Sequence, residues 1–233
     1  YIPKVHLKLN KTHPLYKKEF DLQQNTSACD ILITCSICFH FVPRSGSNFL
    51  SDLLSQTKTM GIPLEYFSPQ NYEYLISRLG SLENIIKART SDIGCFSFKW
   101  NSNFETIDVA NFAYEEIKPT FHIFIDRHDR QLQAASFARA KKAQQWFRTA
   151  NSDIKNATIS QQEINLAYSQ LNDIRKSTTK GITNRGFNFL TVMYEDMMEN
   201  TKQSLRRIYR YCEIEEPLIF PNHATVLLPS ARS

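Results

Sequence analysis

Residues 31–59 read ILITCSICFHFV (Ile31–Val42), PRSGSN (Pro43–Asn48) and FLSDLLSQTKT (Phe49–Thr59), and this stretch decides the fold. The first segment is a β-branched and aromatic run, which predicts a buried strand. The last carries Leu50, Leu53, Leu54 and Thr57 at helical spacing before Gly61 and Pro63 stop it. A small-residue loop therefore opens straight into a helix N-terminus. Gly46 tolerates a positive φ, Ser45 and Ser47 offer hydroxyls, and the first-turn N–H groups of the helix have no partners within it. Together with Arg44 they predict an anion cradle, although an ordinary glycine-containing turn has the same outline.

The cradle lacks the Gly-Lys-Ser/Thr of a nucleotide triphosphatase loop, where a lysine meets the outer phosphates and a hydroxyl holds Mg²⁺. That absence disfavours a nucleotide kinase-like P-loop protein. Working outward, the rest of the chain alternates strand and helix patterns, which implies a mainly parallel central sheet flanked by helices, an α/β fold. The spacing predicts helices over 71–87, 107–117 and 131–150, and a further helix opened by the capping box Ser160–Glu163. It predicts strands over 93–100, 121–125 and 187–193. Leu205, Ile208, Tyr209 and Cys212 mark a last helix. Residues 1–30 read as an irregular arm and 213–233 as an extended tail, around one domain.

Composition bounds the function. The chain has 233 residues, 42% hydrophobic, with 28 Lys+Arg against 23 Asp+Glu. It can bury a full core, and a net charge of +5 suits a pocket for a polyanion better than a nucleic-acid surface. No nucleic-acid partner is expected, nor a transmembrane segment, since no run of about 18 apolar residues occurs. Five cysteines are an odd number, which favours a reducing compartment or partial pairing over a disulfide framework. Cys35-x-x-Cys38 lies inside an apolar run, not at a helix start, so it reads as buried small hydrophobes.

Pro43-Arg-Ser-Gly-Ser47 with Asn48-Phe49-Leu50 resembles the 5′-phosphosulfate loop of sulfotransferases that use 3′-phosphoadenosine 5′-phosphosulfate (PAPS). Ile125-Asp-Arg-His-Asp-Arg-Gln-Leu-Gln-Ala-Ala-Ser136 is similar to the 3′-phosphate segment of bacterial trehalose 2-sulfotransferase-like enzymes, and Gln145-Trp146 stands where that family has a Gln-Trp pair. Pro63-Leu-Glu65-Tyr-Phe67 resembles the segment carrying the family's proposed general base. Phe98-Lys99-Trp100-Asn101 and Tyr194-Glu-Asp-Met197 resemble two further strand ends. The resemblance runs in order from about Ile37 to Cys212.

The resemblance implies a P-loop-like sulfotransferase fold, with PAPS as co-substrate, no metal, and a carbohydrate or glycolipid hydroxyl as acceptor. It implies catalytic roles for Glu65, Arg44 and Lys99. Cofactor contacts fall to Arg44, Ser45, Gly46, Ser47, Asn48 and Phe49 at the loop, and to Arg127 and Ser136 at the 3′-phosphate. The apolar neighbours of Glu65 are expected to desolvate its carboxylate. Asn48 departs from the Thr or Ser usual after the loop, and the closing segment is reduced to 227–233, where Arg232 is the candidate cation. A cytoplasmic bacterial enzyme is the expectation, or a Golgi-lumenal one if an N-terminal anchor has been removed; a homodimer is compatible with either. The reading from a different class is a non-catalytic nucleotide-binding or interaction module on the same fold.

Overall fold

The computed structural model describes residues 32–101, 108–144 and 158–221. The expected arm over 1–30, Gln145-Trp146, the end of the helix expected to reach Ala150, and Arg232 lie outside the described residues. Strands β1 (Cys35–Phe41), β2 (Cys95–Trp100), β3 (Phe121–Asp126) and β4 (Leu190–Met193) form a sheet in the order β2-β1-β3-β4. Every pairing in it is parallel. Eight helices are described: α1 (Ser47–Thr57), α2 (Pro69–Leu79), α3 (Leu82–Arg89), α4 (Asp108–Ile117), α5 (Arg130–Lys142), α6 (Gln161–Asn184), α7 (Tyr194–Glu199) and α8 (Thr201–Tyr211). The expected α/β class is the observed one.

Alternation along β1 sends its side chains to two different cores. Ile37, Phe39 and Phe41 pack with Leu50, Leu53 and Leu54 of α1 and Leu205 and Ile208 of α8. Cys38 faces the opposite side, with Phe96, Phe98 and Trp100 of β2 and Tyr114 of α4. The strand is buried on both faces, so the smaller and more polar Ser36, Cys38 and His40 that alternate with Ile37, Phe39 and Phe41 are buried as well.

The strand order fixes where a ligand can sit. The chain leaves β1 towards β2 on one side, whereas it leaves β3 towards β4 on the other. The connections after β1 and β3 thus diverge, opening a crevice at the carboxyl ends of those two strands. The 43–46 loop and the charged turn 127–129 both lie there.

Four expected boundaries differ, each for a local reason. The strand expected from Ile31 begins at Cys35, since Leu32 is exposed and Thr34 N–H donates to the Gly94 carbonyl of a turn at 2.9 Å. The strand expected from Ile93 begins at Cys95 for the same reason, because Gly94 at φ 82° forms that turn. The helix expected over 71–87 is two helices: Gly80, at φ 83°, ends α2, and Ser81 caps α3 by accepting from Asn84 N–H at 3.1 Å. The strand expected over 187–193 starts at Leu190, and its last helix is preceded by the short α7, broken from α8 at Asn200, which accepts from Gln203 N–H at 3.0 Å. The Ser160–Glu163 capping box forms as expected.

Leu53 is fully buried between α1 and the sheet, whereas Leu166 on α6 is exposed. Leu53→Ala should lower unfolding free energy in urea by about 2–5 kcal/mol, and Leu166→Ala by about 0.5 kcal/mol or less. Equal effects would mean that α1 is not packed against β1 as described.

Candidate active site

The turn between β1 and α1 is built by backbone geometry that leaves donors open. Arg44 at φ 67° and Gly46 at φ 83° both adopt left-handed conformations, and Ser45 N–H donates to Val42 C=O at 3.1 Å. A Cβ on Gly46 would collide with the Tyr194 ring. Gly46 is the N-cap of α1, yet no side chain caps that helix, and its first turn holds no acidic residue. The N–H groups of the first turn therefore open onto the loop. Ser45 Oγ is buried with no hydrogen-bond partner among the described residues, although a buried hydroxyl normally has one. The open N–H groups and this hydroxyl are all donors, the chemistry an oxyanion requires.

Arg44 and Ser136 are drawn together, with Arg44 Nε donating to Ser136 Oγ at 3.0 Å. This ties the loop after β1 to the first turns of α5. Ser47 and Phe49 are buried at the start of α1, and the Phe49 ring packs edge-on against Tyr194 at 6.3 Å.

On the β2 side of the loop stands Lys99, whose side chain is 0% exposed. Its ammonium donates to Asn48 Oδ1 and lies 3.4 Å from Glu65 Oε1. The Phe41 ring is 5.5 Å away. Glu65 reaches this position because residues 62–65 run alongside β2: Lys99 N–H donates to Leu64 C=O at 2.8 Å, and Ser51 Oγ donates to Pro63 C=O at 2.7 Å. Asn71 Nδ2 donates to Glu65 C=O at 2.7 Å. The surroundings expected to be apolar thus include an ammonium, and the Glu65 side chain is 26% exposed. Asn48, expected to cost a hydroxyl contact, has a use as the carbonyl partner of Lys99.

The third wall is the turn after β3. Arg127 is only 4% exposed; its Nε donates to Glu195 Oε1 at 3.2 Å and its guanidinium lies 4.6 Å over the Tyr194 ring. Glu195 also accepts from His128 N–H at 2.8 Å, so α7 holds the turn. Several contacts, chiefly the backbone N–H of His128, hold its carboxylate below the usual range against the opposing effect of burial. Arg127 and Ser136, expected at a 3′-phosphate, stand near the loop, where Ser136 accepts from Arg44.

Sequence reading missed the brace behind these groups. Buried Asp126 accepts two hydrogen bonds from Arg175 of α6, at 2.7 and 3.0 Å, and one from Arg130 at 2.6 Å. Arg175 also donates to Gln133 Oε1 at 2.9 Å, and Gln133 Nε2 donates to Pro43 C=O at 2.9 Å. The chain Asp126–Arg175–Gln133–Pro43 ties the loop to β3 and α6. Asp126 carried a signal, as a carboxylate ending a buried strand, but Arg175 sits in an ordinary polar pattern. His128 pairs with Asp196 at 3.2 Å on the surface, and His40 points to the other face of the sheet.

No family model matches the chain, and no curated protein matches it. Among solved structures it is similar to a sulfotransferase domain from the olefin synthase of Synechococcus PCC 7002, at 18% identity and a TM-score of 0.47, over 81% of this chain and 76% of that one. It is also similar to a sulfotransferase domain from the curacin biosynthetic pathway, at 12% identity and a TM-score of 0.47, over 78% and 75%. Among the described residues no helix is long and apolar enough to cross a membrane.

Burial lowers the pKa of the Lys99 ammonium, with Glu65 opposing the shift. The unfolded chain therefore binds more protons at this position between the folded pKa and the ordinary lysine value, and stability contributed there rises with pH across that interval. In parallel urea titrations from pH 8 to 10.5, the wild type should gain stability relative to Lys99→Met. A constant or shrinking difference would show that the ammonium is solvated.

Proposed function

We propose that this chain is a sulfotransferase that moves a sulfuryl group from PAPS to a hydroxyl of a carbohydrate or glycolipid. The observation that carries the reading is the loop itself: an uncapped, acid-free helix start beside a buried and unpartnered Ser45 hydroxyl, with Lys99 between that loop and a carboxylate. The donor set fits a phosphosulfate, which needs fixed N–H and cationic donors on the bridging and terminal oxygens.

In this reading the N–H groups from Gly46 to Phe49, the Ser45 and Ser47 hydroxyls and Arg44 hold the 5′-phosphosulfate. Arg127 and Ser136 serve the 3′-phosphate. Among the described residues Glu195 engages Arg127 through Nε, so the terminal nitrogens are the ones assigned to that role. Glu65 takes the proton of the acceptor hydroxyl while the hydroxyl oxygen forms a bond to sulfur and the sulfur–oxygen bond to the 5′-phosphate breaks. The electron pair of the broken bond stays on the phosphate, where the loop donors and Lys99 meet the charge. Positioning and charge stabilisation supply the catalysis, as in phosphoryl transfer. No metal is assigned to this step.

Calorimetry should find adenosine 3′,5′-bisphosphate bound much more tightly than AMP or ATP. Arg127→Ala should weaken the bisphosphate roughly ten- to a hundredfold, the worth of a charge-assisted contact of about 1.5–3 kcal/mol. Equal affinity for AMP would remove the 3′-phosphate assignment, and ATP turnover that requires Mg²⁺ would replace the reading with a kinase.

With labelled PAPS and a panel of sugar acceptors, transfer should survive EDTA. Glu65→Gln should lower kcat by about 10²–10⁴-fold with bisphosphate affinity unchanged. Near-normal turnover in that variant would place the base elsewhere. Tight bisphosphate binding without transfer to any acceptor would favour the non-catalytic module.

A further inference from the structure

The sheet face opposite α1 holds a cluster that sulfuryl transfer does not use. Cys38 and His40 are two residues apart on β1 and so share a face. His122 of β3 is the register partner of Cys38. The Sγ of Cys38 and one ring nitrogen from each histidine lie within 4.8 Å of one another, and all three residues are buried. His40 Nε2 and His122 Nδ1 are 3.0 Å apart. Cys35, the other half of the C-x-x-C, lies an odd number of residues from Cys38 and faces the opposite side, so the cluster offers one thiol and two imidazoles.

We propose that Cys38, His40 and His122 form a buried, three-coordinate site for a soft monovalent metal ion, copper(I). Two observations select the ion. Structural zinc is almost always four-coordinate, whereas among the described residues no fourth His, Cys, Asp or Glu joins this group, and the Tyr114 phenol, 3.5 Å from His122 Nδ1, adds no strong ligand. A thiolate with imidazoles suits copper(I). Charge points the same way: Arg185, 5.2 Å over the Tyr114 ring, acts electrostatically on all three groups. A monovalent ion with one thiolate leaves the buried cluster neutral, whereas a divalent ion leaves a net positive charge buried there, which is costly and is repelled by that guanidinium.

The binding step balances without electron transfer. The Cys38 thiol loses its proton to solvent, its sulfur forms the bond to the metal, and the two imidazoles each donate a nitrogen lone pair. Bonds of about 2.0–2.1 Å at trigonal angles put the nitrogens about 3.5 Å apart, so the rings part by roughly half an ångström. The site is closed to solvent, so the ion enters as the chain folds. It lies across the sheet from the cradle and does not depend on the sulfotransferase reading.

The test is to refold the full chain without oxygen in the presence of copper(I) or Zn²⁺, challenge it with a chromophoric copper(I) chelator, and record X-ray absorption of the retained metal. One copper per chain, bound by one sulfur and two nitrogens, is expected. Cys38→Ser and His122→Phe should lower affinity by more than the roughly 10–100-fold that loss of an outer-shell group costs, while Cys212→Ser retains the ion. Loss of copper from the wild type to the chelator, a two-sulfur environment, or retention of Zn²⁺ in preference to copper(I) would overturn the proposal. The wild-type spectrum decides even if a variant fails to fold.

Discussion

An ammonium with no access to solvent is the constraint around which the site is arranged. Moving such a charge out of water costs several kcal/mol and is tolerated only with good partners. Lys99 meets two, Asn48 from the loop and Glu65 from the strand-like segment after α1. Because each partner belongs to a different segment, satisfying one charge fixes the distance between the anion cradle and the carboxylate. The main-chain bond from Lys99 N–H to Leu64 C=O makes that spacing a property of the β2 edge as well as of side-chain rotamers. A helix N-terminus alone attracts anions; the buried cation gives this one a direction.

The charges on the other side of the crevice are arranged in two tiers. Asp126, Arg175, Arg130 and Gln133 are joined by hydrogen bonds behind the loop and hold the Pro43 carbonyl. In front, Glu195 and the Tyr194 ring fix Arg127, while Ser136 fixes Arg44. Pinning a guanidinium through a single edge removes most of its conformational freedom before any ligand arrives, and ordering cost of this kind is otherwise lost from binding energy. Tyr194 links the tiers, since the face that receives Arg127 belongs to the ring that excludes any side chain at position 46.

How far this was legible in the sequence depended on whether the signal was local. The strand–loop–helix at 35–57 could be read because apolar periodicity, Gly46 and the Ser pair lie within one window. So could the capping box at Ser160, whose two partners are three residues apart. The break at Gly80-Ser81 was hidden because helical pattern continues on both sides of it. Site residues expected from the loop and from the turn after β3 do gather at one crevice, but their pairings were out of reach. Ser136 finds Arg44, 92 residues away, and Arg175 finds Asp126 across 49. Such partners are chosen by strand order, which periodicity does not encode.

The same limit explains Cys38, His40 and His122. Within β1 Cys38 reads as a small hydrophobe of an apolar run, His122 belongs to β3, and the C-x-x-C spacing draws attention to the wrong partner, since residues three apart on a strand face opposite ways. Only the parallel register of β1 with β3 sets His122 beside Cys38. That register also places Phe41 opposite Ile125 at the mouth of the crevice. One alignment of two strands therefore builds both sites, with odd-numbered β1 positions turned towards α1 beneath the cradle and even-numbered ones towards the thiol–imidazole cluster. A slip of one residue would exchange the two faces and bring Cys38 and His40 under α1. The bulky Ile37, Phe39 and Phe41, filling the space against Leu50, Leu53 and Leu54, are what forbid it.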